Sequence, residues 1–266
     1  MKPEQSIRKI GLARALSKLG YCSRSQATEL IRAGRVRLNG SVRRDPEVPV
    51  RMEHDRVELD NHAVAPQAKV YLMMNKPRGL VTTAADEKGR KTVYEVLEKA
   101  RRSLPWVAPV GRLDRASEGL LLLTNDSEWG AKILAPETHL DKTYHVQIGT
   151  LVDEKLIRAI TSGVKVEDGD CLRATKIREL RWGEKNCWLE IVLDEGKNRQ
   201  IRRMFAALDV EVLRLVRVAI GPLALGKLAK GSYRTLTIEE KLALDRAMAK
   251  PCVRISKRSE DRLKSF

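Results

Sequence analysis

Four short segments hold side chains able to do chemistry. In "PVGRLDRASEGLLLLTND" the carboxyl group of Asp114 stands between Arg112 and Arg115, just ahead of the apolar run Leu120–Leu123. Such a run fits a strand buried on both faces. Flanking cations favour the ionised carboxylate, which suits a nucleophile or charge stabiliser better than a proton donor. Read alone, the same pattern also fits a salt-bridged aspartate in a surface loop. In "KTYHVQI" strand alternation puts Tyr144, Val146 and Ile148 on one face and His145 and Gln147 on the other. Tyr144 offers a ring that can stack on a base and a hydroxyl; a core tyrosine with a satisfied hydroxyl fits equally well. A lone strand histidine such as His145 reads as structural.

The third segment is "LDEGKNRQIRRMFAAL", where Ile201, Met204, Phe205 and Leu208 form the stripe of an amphipathic helix starting near Asn198. Arg199, Arg202 and Arg203 crowd its start, and cations there oppose the helix dipole at about 0.3–1 kcal/mol each. An anionic partner, a phosphate or a buried carboxylate, would offset that cost, unless Asp194 and Glu195 compensate locally. The fourth, "MNKPRGLVTT", reads as a rigid turn after a strand that shapes a pocket wall.

The elements that must position these groups fall into two patterns. Residues 7–19 have helical spacing with apolar Ile10, Ala13, Leu16 and Leu19, and Gly20 stops the helix. Ser23 is a candidate N-cap for a second helix over 24–33. "RVRLN" then alternates like a strand, Asn39-Gly40 is a hairpin signal, and "DRVELD" closes a compact unit near residue 60. The stretch 61–68 has no charge and no period and reads as a linker. From residue 69 short strands ("VYLMMN", "GLLLLTND", "YHVQI", "CWLEIVL", "VEVLRLVRV") interleave with helical stretches near 92–102, 127–134, 153–161 and 198–208. That irregular mixture predicts an α+β domain over 69–249 with a mixed sheet. The basic residues 250–266 read as a mobile tail.

Composition narrows the partners. Lys and Arg number 51 against 35 Asp and Glu, a net charge of +16. The excess is spread out, +5 over residues 1–68, +7 over 69–249 and +4 over 250–266. A polyanion touching several parts of the protein, nucleic acid above all, accounts for this. No run approaches the 18 or so apolar residues of a membrane span, and the N-terminus lacks the apolar core of a secretory signal. Cys22, Cys171, Cys187 and Cys252 form no CxxC pair, and the four histidines do not complete a zinc-like spacing, so no metal is implied. Scattered cysteines in a leaderless chain read as reduced thiols of a cytoplasmic protein. Monomer is the default state.

The segment "LSKLGYCSRSQATELIRAGRVRLNG" resembles the small helix–helix–hairpin RNA-binding module first named for a ribosomal small-subunit protein. On that resemblance Lys18, Ser23, Arg24, Arg32, Arg35 and Arg37 are expected at an RNA surface, the cations gathered beside a helix N-terminus where backbone N–H groups also attract phosphate. The whole series, with "NKPRG", "VGRLDRASEGLLLLTND", "KTYHV", "EGKNRQIRRM" and "VRVAIGPLALGKLAKGSYRTLT" in this order, resembles the RNA pseudouridine synthases of the RsuA/RluB/RluE/RluF family. Ser-Glu in "RASEG" stands where many members have Thr-Ser. The resemblance implies a mainly antiparallel mixed-sheet catalytic domain with an RNA-binding cleft. It implies that Asp114 is the essential aspartate, Tyr144 the active-site tyrosine and Arg202 the basic residue paired with the aspartate. Arg112, Arg199 and Arg203 are then expected to contact ribosomal RNA. The implied reaction isomerises uridine to pseudouridine and needs no cofactor, in keeping with the absence of a GxxxxGK phosphate loop. The competing expectation is a non-catalytic rRNA-binding or ribosome-assembly factor.

Overall fold

The computed structural model describes residues 9–84, 86–98 and 104–249. The tail expected over 250–266 and the far part of the helix expected over 92–102 lie outside them. The N-terminal unit begins with β1 (Ile10–Gly11) and α1 (Leu12–Lys18), so the first helix starts at Leu12 rather than near residue 7, with extended Gly11 at its N-cap. Ser23 caps α2 (Arg24–Arg32): its Oγ accepts from the Gln26 N–H at 3.2 Å, and Gln26 Oε1 accepts from the Ser23 N–H at 3.1 Å. This reciprocal box satisfies two otherwise orphaned donors. Strands β2 (Val36–Leu38) and β3 (Ser41–Arg43) pair around Asn39-Gly40, whose φ values of 53° and 81° suit a tight hairpin. β4 (Pro49–Val50) pairs with β1, and β5 (Val57–Leu59) pairs with β2. The stretch expected to be a linker is partly a strand: Asp60 and Asn61 take φ of 50° and 65° and turn β6 (His62–Ala63) back onto β5. Asp and Asn tolerate that left-handed conformation, a hairpin signal hidden in an uncharged stretch. Leu12, Leu16, Ala27, Ile31, Val36 and Val50 are fully buried between helices and strands.

The second unit contains β7 (Tyr71–Lys76), α3 (Tyr94–Leu97), β8 (Ala108–Val110), β9 (Glu118–Thr124), α4 (Ser127–Leu134), β10 (Lys142–Ile148), α5 (Glu154–Ser162), β11 (Val164–Lys165) and β12 (Cys171–Leu172). β13 (Lys176–Trp182), β14 (Cys187–Leu193), α6 (Gln200–Ala206), β15 (Val212–Ile220), β16 (Leu223–Ala224), β17 (Tyr233–Thr235) and α7 (Ile238–Ala249) follow. One nine-stranded mixed sheet runs β13-β14-β10-β15-β9-β7-β17, with β8 on β9 and β16 on β15. Among its described pairings only β15 with β9 is parallel. Helices and sheet therefore combine as the α+β pattern implied. β13, β17 and α7 carry no clear periodic signal: β13 (KIRELRW) is an edge strand with mostly exposed charged residues, and α7 buries only Leu244. Leu120–Leu123 are fully buried; Leu120 and Leu122 pack with Trp129 and Ile133 of α4, and Leu121 and Leu123 with Leu72, Met74 and Leu97. On the other half, Val146, Ile148, Leu189 and Ile191 pack against Ile160 of α5 and Met204 and Phe205 of α6.

The two halves meet at the parallel contact, where Gly119 pairs with Arg217. At Gly119, φ is +100° and an added Cβ would lie 2.2 Å from the Arg217 carbonyl oxygen. Only glycine permits this approach. Just upstream, the loop holding Asp114 is pinned from below. Lys76, fully buried at the end of β7, donates to the carbonyls of Pro77 (3.2 Å), Asp114 (3.1 Å) and Ser117 (2.9 Å). Thr82 Oγ1 donates to the Leu113 carbonyl at 2.7 Å, and the Gly79 N–H donates to that of Arg115 at 2.7 Å. The segment that sequence alone marks as a pocket wall is thus the clamp on the Asp114 loop.

Two outcomes follow from the seam and the clamp. Gly119→Ala is expected to cost about 3 kcal/mol or more, since backbone strain and a backbone clash act together. Gly40→Ala, which meets only strain because its Cβ would find open space, should cost about 1–2 kcal/mol. Urea unfolding of the two variants compares them, and equal losses would deny the seam its special constraint. Burial pushes Lys76 down to about 8, against Asp114 and Glu118, which favour its charged form, whereas an unfolded lysine titrates near ~10.4. Between those values the unfolded chain keeps a proton that the native chain has released, so the contribution of Lys76 to stability rises with pH. Lys76→Met should lack that rise, seen as a difference between urea midpoints of the two proteins across that window.

Candidate active site

Asp114 lies where two concavities join. One, of about 310 Å³, is lined by Asp114, Tyr144, Lys142, Arg199, Arg217 and apolar Leu113, Leu193, Ile201 and Leu215. The other is a more open groove of about 730 Å³ that reaches Arg112, Arg115, Arg199 and Arg202. Asp114 comes from the loop ahead of β9 in one half of the sheet and Tyr144 from β10 in the other, so the seam brings them to the same wall. The Asp114 side chain remains 43 % exposed and reachable from both sides. Tyr144 lies between Ile191 on β14 and Arg217 on β15 in antiparallel register and packs on the core beneath α6.

The arginines divide differently from the expectation. Arg199, not Arg202, is the cation within reach of Asp114: its Nε lies 4.0 Å from Asp114 Oδ2. Arg199 takes φ of 47° as the residue before α6, which turns its side chain out of the helical stripe. α6 therefore begins at Gln200 and not at Asn198. Arg202, one turn into the helix, donates to the carbonyls of Val212 (3.2 Å) and Ala116 (3.4 Å). It ties α6 to the backbone of the Asp114 loop. Burial and neighbouring Arg199 press its pKa down while Asp114 holds it up. Arg203 forms ion pairs with Asp168 and Asp170 (3.3 Å to the latter) beside the short β11–β12 hairpin, so internal carboxylates supply the anion its position calls for. Arg112 is exposed at the junction of both concavities.

The N-terminal cations do not gather at one helix N-terminus. Arg24 opens α2 and Arg32 closes it, about 12 Å apart along the axis at 1.5 Å per residue. Arg35 holds Asp60 through two hydrogen bonds of 2.9 and 2.5 Å, and Arg37 reaches the Gly40 carbonyl at 3.5 Å. Lys18 pairs with Glu128 of α4 at 2.9 Å, bridging the two units, and Ser23 Oγ serves as a helix cap. The Trp106 N–H donates to the Gly20 carbonyl at 2.9 Å at the same junction.

Four residues at the site escape the motif reading: Lys76, Lys142, Gln200 and Arg217. Strand parity is the signal that finds two of them. Lys142 shares the face of Tyr144, Val146 and Ile148, and Arg217 falls on the inward register of Leu215 in a mostly apolar strand. A cation at a core-facing position needs a reason.

Known proteins resemble this chain in both sequence and fold. The family model described as RNA pseudouridylate synthase matches residues 70–207, and the S4 domain model matches residues 10–57. An Aquifex aeolicus protein named an uncharacterized RNA pseudouridine synthase is 41% identical over 234 residues, covering 88% of this chain and 92% of its own. The Bacillus subtilis ribosomal large subunit pseudouridine synthase B is 36% identical over 230 residues, covering 86% of this chain and 93% of its own. A crystal structure of a pseudouridylate synthase superposes with a TM-score of 0.60 at 30% identity, over 88% of this chain and 99% of that one. Sequence and fold converge: the chain belongs to the RNA pseudouridine synthases, isomerases acting on RNA, and carries an S4 domain ahead of its catalytic unit.

Proposed function

We propose that this enzyme converts a uridine of ribosomal RNA into pseudouridine, with Asp114 as the catalytic carboxylate. The placement of Asp114 and Tyr144 on one cavity wall, contributed from opposite halves of the sheet, carries this reading. The name of the Bacillus subtilis relative supports a ribosomal substrate, and such a substrate implies work in the cytoplasm.

The reaction breaks the bond between ribose C1′ and uracil N1 and joins C1′ to carbon 5 of the same base. Nothing is added or removed, so the chemistry requires no co-substrate. Loss of the base develops positive charge on the sugar, which an adjacent carboxylate stabilises or captures. Asp114, next to Arg199 and exposed to the cavity, is suited to that task. Tyr144 stacks on the base and offers its hydroxyl for the carbon 5 proton. Arg202 acts through the loop, holding the Ala116 carbonyl. Water must be kept from the detached base, or the isomerisation is lost. Extracting the nucleotide from its stack costs a few kcal/mol, offset by phosphate contacts along the groove at Arg112, Arg115 and Arg199; salt should therefore weaken binding steeply.

Asp114→Asn keeps shape and removes charge. Tritium release from ribosomal RNA labelled at uridine carbon 5 should fall by three orders of magnitude or more, roughly 4 kcal/mol in the barrier, with RNA affinity nearly unchanged. Normal release by Asp114→Asn would defeat the assignment. Tight rRNA binding by the wild type with no pseudouridine formed would instead favour an assembly factor.

A further inference from the structure

Among the described residues, three buried side-chain atoms have no hydrogen-bond partner: Gln200 Oε1, Arg202 Nε and Arg217 Nη2. Gln200 and Arg217 line the cavity of Asp114 and Tyr144, and Arg202 lines the adjoining groove. An unpaired buried polar atom costs about 1–3 kcal/mol, and native structures hold few of them. Two in one cavity, with a third in the groove that adjoins it, mark a surface that is completed when something enters.

Arg217 is the most pointed of these. It is 7% exposed, stands opposite Tyr144 in the β10–β15 register, and donates from Nε to the Leu120 carbonyl at 2.8 Å. That bond fixes the guanidinium plane and leaves Nη2 unpartnered. Lys142, which shares the face of Tyr144, lies in the same cavity. Burial and Arg217 lower its pKa, while Asp141 and Asp194 oppose the shift. Lys142 and Arg217 repel each other and lose hydration in this cavity, on whose lining Asp114 is the carboxylate, and negative charge developing beside them would make their placement favourable.

We propose that Arg217 and Lys142 form a leaving-base site, donating to the carbonyl oxygens of the uracil and stabilising the negative charge it carries once detached from ribose. The inference rests on the pseudouridine reading and deepens it. As the C1′–N1 bond breaks, its electron pair moves to N1 and spreads over O2 and O4. Arg217 and Lys142 keep their protons and neutralise that charge by hydrogen bonding. Bond formation from carbon 5 to C1′ then uses a pair from the same anion; the carbon 5 proton departs and N1 gains one. Asp114 serves the cationic sugar and the two basic residues serve the anionic base, so opposite charges separate toward opposite partners.

The test is single-turnover tritium release at saturating enzyme, with RNA affinity and melting temperature measured alongside. Lys142→Met, at a partly exposed position, should lower the saturating rate about 100-fold with unchanged affinity. Arg217→Lys keeps the charge but loses the fork, and should also slow the saturating rate. A wild-type rate in Lys142→Met overturns the inference. So does weaker RNA binding with a normal saturating rate, which would assign the cations to a phosphate rather than to the base. Failure of the wild type to release tritium at all would sink the pseudouridine reading itself, and this inference with it.

Discussion

At position 119 the backbones of two strands lie closer than any side chain allows. This contact joins the halves of the sheet, and the site depends on it. Asp114 enters from one side of the seam and Tyr144 from the other, so their relation is set by backbone contact rather than by flexible side chains. Neighbouring residues reinforce the line. Arg217 reaches across to the Leu120 carbonyl, and buried Glu118, paired with Val216, is gripped by Arg214 at 3.1 Å and Lys230 at 2.6 Å. The cavity of Asp114 and Tyr144 lies beside this seam, with Ser117 and Arg217 in its lining.

The loop that carries Asp114 is held by charge on carbonyls rather than by side-chain ion pairs. A buried ammonium costs solvation, which three carbonyl acceptors partly return. Because Lys76, Thr82, Gly79 and Arg202 all take backbone groups of residues 113–117, the Asp114 carboxylate itself is left uncommitted. Its nearest cation, Arg199, stands off at 4.0 Å. A short, bidentate pair there would have spent the carboxylate on structure; looser contact leaves it oriented and still able to meet a substrate.

Much of this was legible in the chain. Leu120–Leu123 predict a doubly buried strand, "KTYHVQI" groups Tyr144 with Val146 and Ile148 on one face, and Asn39-Gly40 marks its hairpin, because each signal is local. What escaped is tertiary. The placement of Arg199 nearest Asp114, with Arg202 on loop carbonyls, turns on one left-handed residue before α6, which helical periodicity cannot register. Asp168 and Asp170 meet Arg203 only because the β11–β12 hairpin folds over α6, and Glu128 meets Lys18 only because the two units dock. β13 and α7 lack the apolar period that announces an element, since one is an edge strand and the other buries a single leucine fully.

The same pairings bear on what the excess charge means. Arginine's planar fork suits carboxylates as well as phosphates, and this fold uses it for both. Arg35 with Asp60, Arg203 with Asp168 and Asp170, Arg178 with Glu190 and Arg234 with Glu240 are internal braces. Cations neutralised in this way release few counterions when RNA binds. The electrostatic attraction of the whole chain, at +16, therefore reaches farther than the set of residues that can grip a phosphate. Arg112, Arg115 and Arg199 border the groove beside Asp114. Long-range charge can gather a polyanion even where the individual cations are committed to carboxylates.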